Sequence, residues 1–274
     1  MLAGGPYGPS DLAGAMNASL VMRSCRADGV LLRADKPATV LDAAWSASFD
    51  DLVPRRVEGA FTDIGTLRWS YILSLNLDDP FSLAVTDLGG PATVPSAEFV
   101  ACDFGRGCAE GPWTALSVAA GPLKLPACPQ VDDLTPGWGY RVVAPVLPSG
   151  WVLLGEVEKI VPVSGRRFLT VASGVAPAPE LEAVVAAATG ETVVVTLLTP
   201  GKRSPVVVTC TAPSTPPPAG AVPACTPTPC TDLDPDHKLT LACVAAQCSC
   251  TLKPSPVTAA TNRSPTTAAS PFLE

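Results

Sequence analysis

Leu181-Glu182-Ala183-Val184-Val185-Ala186-Ala187, then Thr189-Gly190, then Thr192-Val193-Val194-Val195-Thr196-Leu197-Leu198, is the stretch on which the fold turns. Successive side chains of a strand point to opposite faces, so this alternation marks two half-buried β-strands. The short Thr189-Gly190 break predicts a hairpin whose register the tight turn sets. Leu67 to Leu77 carries the same signature, with Trp69, Tyr71, Leu73 and Asn76 in a β-favouring run. Asp78-Asp79-Pro80 closes it as a turn, and Phe81 to Val85 is predicted to return as its hairpin partner. Further strands are expected at Gly29 to Arg33, Gly139 to Val146, Trp151 to Val157 after a Pro148-Ser149-Gly150 turn, and Pro205 to Cys210. Leu239 to Val244 and Cys250 to Leu252 would close the sheet. The predicted class is mainly β: an antiparallel β-sandwich preceded by one strand and helix.

The helix is expected from about Leu12 to Ser24, with Asp11 as N-cap and Leu12, Met16 and Leu20 at helical spacing. Between about 89 and 137, prolines at 91, 95, 112, 122, 126 and 136 predict a loop insertion stapled by one disulfide among Cys102, Cys108 and Cys128. The chain then divides into an N-terminal unit at 1–27, a sandwich at 28–210 holding the insertion, a Pro/Thr linker with a Cys-rich closing segment at 211–252, and a Ser/Thr/Pro tail at 253–274 that is expected to be disordered.

Bulk chemistry excludes several classes. The 18 Lys and Arg are scattered, apart from one short basic cluster, Gly165-Arg166-Arg167, that is expected to flank a strand, and the net charge is −7, which argues against a nucleic-acid partner. No run of about 20 apolar residues is present to span a bilayer as a helix. Ten cysteines, half of them between Cys225 and Cys250, point to disulfides and an oxidising compartment. The spacings Cys102-x5-Cys108, Cys225-x4-Cys230 and Cys243-x4-Cys248-x-Cys250 lack paired Cys-x2-Cys knuckles, and His237 is the sole histidine, so no metal site is expected. No glycine pattern for a nucleotide occurs, and no cofactor is expected. The sequons at Asn17 and Asn262 agree with a secreted or endomembrane-lumen protein. Met1-Leu2-Ala3 shows no secretory leader, which predicts a parent protein beginning upstream.

Residues 4 to 42 carry a second kind of signal: Gly4-Gly5-Pro6, Ser10-Asp11, Gly14, then Asp28-Gly29-Val30-Leu31-Leu32-Arg33 and Pro37. Their order and spacing resemble the end of the catalytic barrel in raffinose-synthase-like and α-galactosidase-like glycoside hydrolases. There a Gly-Gly-Pro strand leads into Ser-Asp and a helix, and Asp-Gly, an apolar pair and Arg open the C-terminal β domain. The resemblance implies that 1–27 is the last strand–helix unit of an incomplete (β/α) barrel and that the partner is the rest of that barrel. It also implies that the catalytic carboxylates stand on barrel strands absent from this sequence, so no catalytic residue is expected here.

Asp11, at the end of the last barrel strand, would stand on the face where barrel enzymes place their sites, or would simply cap the helix. Gly4, Gly5, Pro6 and Ser10 would shape that strand's exit. Trp138, Tyr140 and Trp151 could form a platform for sugar stacking, with burial in a sandwich core as the competing reading. Asp78-Asp79 and Asp132-Asp133 read as solvated turns, with calcium or a sugar hydroxyl as their functional alternative. Two further readings are a complete carbohydrate-binding β-sandwich and a cysteine-rich wall protein.

Overall fold

The computed structural model describes residues 2, 16–51, 56–88, 98–130, 137–174, 180–201, 203–212, 238–244 and 249–254. The chain begins with α1 (Ala18–Met22), β1 (Lys36–Val40), α2 (Asp42–Asp51), β2 (Arg56–Ile64), β3 (Leu67–Leu75) and β4 (Phe81–Leu83). It continues with β5 (Glu98–Asp103), α3 (Arg106–Glu110), β6 (Thr114–Ser117), β7 (Leu123–Leu125), β8 (Trp138–Pro145) and β9 (Val152–Gly155). Last come β10 (Phe168–Gly174), β11 (Glu180–Ala186), β12 (Thr192–Leu198), β13 (Pro205–Thr211), β14 (Lys238–Val244) and β15 (Ser249–Pro254).

The protein is mainly β, with antiparallel sheets and no closed barrel among the described residues. A six-stranded sheet has the order β1-β2-β3-β8-β5-β6, and a four-stranded sheet the order β15-β13-β12-β9. Three strands, β10-β11-β14, form another sheet, and β4 pairs with β7. One pairing is parallel, β11 with β14.

Both faces of the six-stranded sheet are covered, which is why β3 is buried at six of its nine positions and exposed at none. Trp69 and Tyr71 on one face join a core with Trp151, Leu153, Val163, Leu181, Val185, Val193, Val195 and Leu197, drawn from the sheets opposite. On the other face Val57, Ile72, Ala101 and Val143 pack with Leu41 and Ala44 at the start of α2 and with Leu83 and Leu125 of the β4–β7 pair. The layers are also pinned by hydrogen bonds. Trp69 Nε1 donates to Leu153 O at 2.8 Å and Tyr71 Oη to Val163 O at 2.5 Å, so each aromatic buries its ring and satisfies its polar tip across the seam.

The predicted hairpin over 181–198 is corrected. Both strands form, but β11 pairs with β10 and β14, whereas β12 pairs with β13 and β9. Leu181, Ala183 and Val185 thus face Val193, Val195 and Leu197 across the core as an arch between two sheets. Alternation reports which face is apolar. It does not report which neighbour supplies the hydrogen bonds, and an arch and a hairpin alternate alike. The partner predicted for the strand after Leu67 is corrected for the same reason, since β4 pairs with β7 rather than with β3.

The 89–137 stretch is not simply a loop: within it β5 and β6 are strands of the main sheet, joined through α3, and β7 pairs with β4. Its predicted disulfide is present as Cys102–Cys108, closing the turn from β5 into α3. The N-terminal helix is shorter than expected: α1 starts after Asn17, whose Oδ1 accepts from the amides of Ser19 and Leu20. Gly29 to Arg33 makes only an isolated bridge, Leu31 with Cys25. The last two strands close different sheets, β14 on β11 and β15 on β13.

Candidate functional site

Two adjoining cavities lie where the β2–β3 turn meets the loop entering β10. Gly65 and Thr66 form that two-residue turn, between paired Ile64 and Leu67, and Gly65 takes a φ of +62° that glycine supplies at no steric cost. The first cavity, about 310 Å³, is walled by Arg33, Asp35, Asp63, Gly165, Arg166 and Leu169. The second, about 620 Å³, is lined by Leu67, Val146, Leu147, Pro148, Val171 and Ser173, with the Glu98 carboxylate at its edge. They share Ile64 and Gly65, so together they form one groove alongside β10, polar at one end and largely apolar at the other. Both volumes fall in the range of ligand clefts, roughly 300–1,000 Å³.

At the polar end the charges are partly spoken for. Arg68 donates to both oxygens of Asp63 at 2.6 Å, and its guanidinium stacks on Phe61 at 3.5 Å from the ring centroid. Asp35 Oδ2 accepts from the amide of Asp63 at 2.9 Å. Ser164 Oγ donates to Arg33 O at 2.9 Å and accepts from the amide of Arg166 at 3.3 Å, which joins the two walls. The side chains of Arg33 and Arg166 are exposed, and among the described residues no carboxylate pairs with either guanidinium.

The loop carrying Arg166 is anchored from below. Arg167, the next residue, points inward and is fully buried between two glutamates. Its Nε donates to Glu156 Oε2 at 2.5 Å, Nη2 to Glu191 Oε1 at 2.7 Å, and Nη1 to Ala186 O at 2.6 Å and Glu191 Oε2 at 3.0 Å. Glu191 also accepts from the amides of Ala188 and Ala27. Burial pushes the Glu156 carboxyl up, with Arg167 only partly offsetting it. At Glu191 burial acts the same way, but the hydrogen bonds from Arg167, Ala188 and Ala27 outweigh it and hold the carboxyl down at about 2. This ion cluster is the centre of the β11–β12 arch, and it ties the Ala27 backbone to that arch.

Of the described residues singled out from sequence, Arg33 reaches the groove, and Asp78, Asp79, Trp138, Tyr140 and Trp151 do not line it. Trp151 is fully buried and Tyr140 is 7% exposed, its ring beside Phe104 and its hydroxyl donating to Ile160 O. Neither offers a face to a sugar, so the three-residue stacking platform is corrected to one exposed tryptophan, Trp138. Strand alternation with burial on both sheet faces accounts for this. Gly4, Gly5, Pro6, Ser10, Asp11, Asp132, Asp133, His237 and Asn262 lie outside the described residues. Asp78 and Asp79 sit exposed in a bend. Among the described residues no three His, Cys, Asp or Glu side chains converge as a metal site, and no helix is long and apolar enough to cross a membrane. Sequence reasoning missed Asp35 and Asp63 because they are isolated along the chain, and it read the Gly165-Arg166-Arg167 cluster only as the flank of a strand, which it is, at the entry to β10; the one local signal was Gly65 between two β-favouring runs.

No protein-family model, curated protein or solved structure matches this chain.

Proposed function

We propose that this chain is the C-terminal β portion of a secreted glycoside-hydrolase-like protein, shaping the substrate path beside a catalytic barrel and not hydrolysing sugar by itself. One observation carries the reading. Asp28–Arg33, the described part of the motif that carries the resemblance, is held to the β body with Leu32 buried and ends with Arg33 on the wall of the groove. Leu32 is 1% exposed and donates its amide to Ser24 O at 2.8 Å, and Lys159 Nζ donates to the carbonyls of Met22 and Cys25. The motif is therefore built into the β body. Met16, Leu20 and Met22 stay exposed on and beside α1, an apolar strip of the kind a barrel neighbour would cover. Leu2 runs the other way: it accepts from the amide of Ala38 and packs on the core.

The test is the transcript upstream of Met1. The expected result is an open frame encoding barrel strands with two carboxylates at strand ends; an in-frame stop immediately upstream would refute the reading. A second reading, a carbohydrate-binding β protein that acts alone, is favoured by the groove itself. It requires tryptophan fluorescence or heat to change when oligosaccharides are titrated, and a flat response across a glycan panel removes it.

A further inference from the structure

We infer that the groove takes an anionic oligosaccharide, with the carboxylate or sulfate of one sugar held between Arg33 and Arg166. This rests on the carbohydrate reading above and narrows it to a substrate class. Arginine presents a planar fork of donors that matches a carboxylate or sulfate in two parallel hydrogen bonds, and a neutral sugar offers nothing comparable.

The surrounding acids are already committed or few. Asp63 is neutralised by Arg68, Asp28 is paired with Arg26 at 2.6 Å, and Glu98 of the second cavity is paired with Arg203 at 3.5 Å, which leaves Asp35 as the one carboxylate of the groove without a cationic partner among the described residues. The polar end thus carries two guanidiniums against one carboxylate, a local positive balance in a chain of net charge −7. Asp35 keeps acceptor capacity beyond its bond to the Asp63 amide and would take a sugar hydroxyl. Both guanidiniums stand on fixed backbone: Ser164 bonds the Arg33 carbonyl and the Arg166 amide, and Arg26 Nη1 donates to Arg166 O at 3.2 Å. The apolar second cavity suits the C–H face of the neighbouring sugar, so the two cavities read as two consecutive subsites.

Isothermal titration of the purified chain with trigalacturonate, a singly sulfated galactotriose, unmodified galactotriose and inorganic sulfate tests this at low and high salt. One of the charged trisaccharides should bind about tenfold more tightly than the neutral one, and which one does identifies the anion. That advantage should shrink with salt and vanish in Arg33→Gln and Arg166→Gln, while Arg56→Gln, exposed and remote from the groove, keeps it. Unchanged circular dichroism of the variants checks the fold, since both side chains are exposed. Equal binding of charged and neutral trisaccharides would sink this inference and leave the carbohydrate reading standing. Sulfate binding as well as the trisaccharides would reduce the site to a simple anion site and overturn it. If none of the sugars binds, this inference falls, and the carbohydrate reading falls with it only when the wider glycan panel is flat as well.

Discussion

Replacing Arg167 with methionine strands two glutamates in the interior. The guanidinium is fully buried, the Glu156 and Glu191 side chains are only 8% and 7% exposed, and the same group satisfies the Ala186 carbonyl. Removing one member of a buried ion pair costs about 3–5 kcal/mol, because the charge left behind is neither solvated nor paired. Glu191 keeps its bonds from Ala188 and Ala27, so the expectation is the middle of that range, about 4 kcal/mol at neutral pH. For a chain of this size that is a fall in Tm of roughly 10 °C. The pH dependence identifies the cause. In Arg167→Met the folded state escapes the buried charge by binding protons that the unfolded state does not bind, so its stability falls as pH rises above about 4.5. Urea denaturation should show the deficit shrinking by about 1.4 kcal/mol for each unit of acidification per glutamate protonated, down to that pH. Glu156→Gln in the Arg167→Met background should restore part of the loss. A deficit below about 1 kcal/mol at neutral pH, or one indifferent to pH between about 7 and 5, refutes the reasoning.

The native acid limb should belong to Glu191. Its folded carboxyl titrates at about 2, below its unfolded value, so the stability it contributes is complete above the unfolded value and is lost as pH falls towards 2. Glu191→Gln should flatten that limb in thermal melts. Glu156, pushed the other way, works against it as pH rises through its raised value. At Gly155 the φ is +78° and an added Cβ would stand 2.3 Å from Pro162 O, so Gly155→Ala should lose more than about 2 kcal/mol in urea, and a neutral result would contradict the loop's geometry. Cys102→Ser should cost about 2 kcal/mol through the short loop it opens, measured against wild type under non-reducing conditions.

The sequence alone was enough to say that this chain is mainly β and where most strands run. Period-two alternation at 67–75, 138–145 and 192–198 is a local property, written directly in the order of apolar side chains. A disulfide among Cys102, Cys108 and Cys128 was equally legible, but that Cys102 pairs with Cys108 was decided by the turn from β5 into α3. Tertiary structure decided pairing and burial. Thr189-Gly190 reads as a hairpin turn until Arg167, more than twenty residues away, draws Glu191 inward and opens the two strands into an arch across the core. Trp151 and Tyr140 read as a sugar platform until a sheet covers each of them, since exposure depends on what lies opposite and not on neighbours in the chain. The groove is the same case. Arg33, Asp63 and Arg166 come from three separated segments, and only the long-range packing of β2, β3 and β10 brings them to one wall, because a site assembled by tertiary contact leaves no periodic trace along the chain.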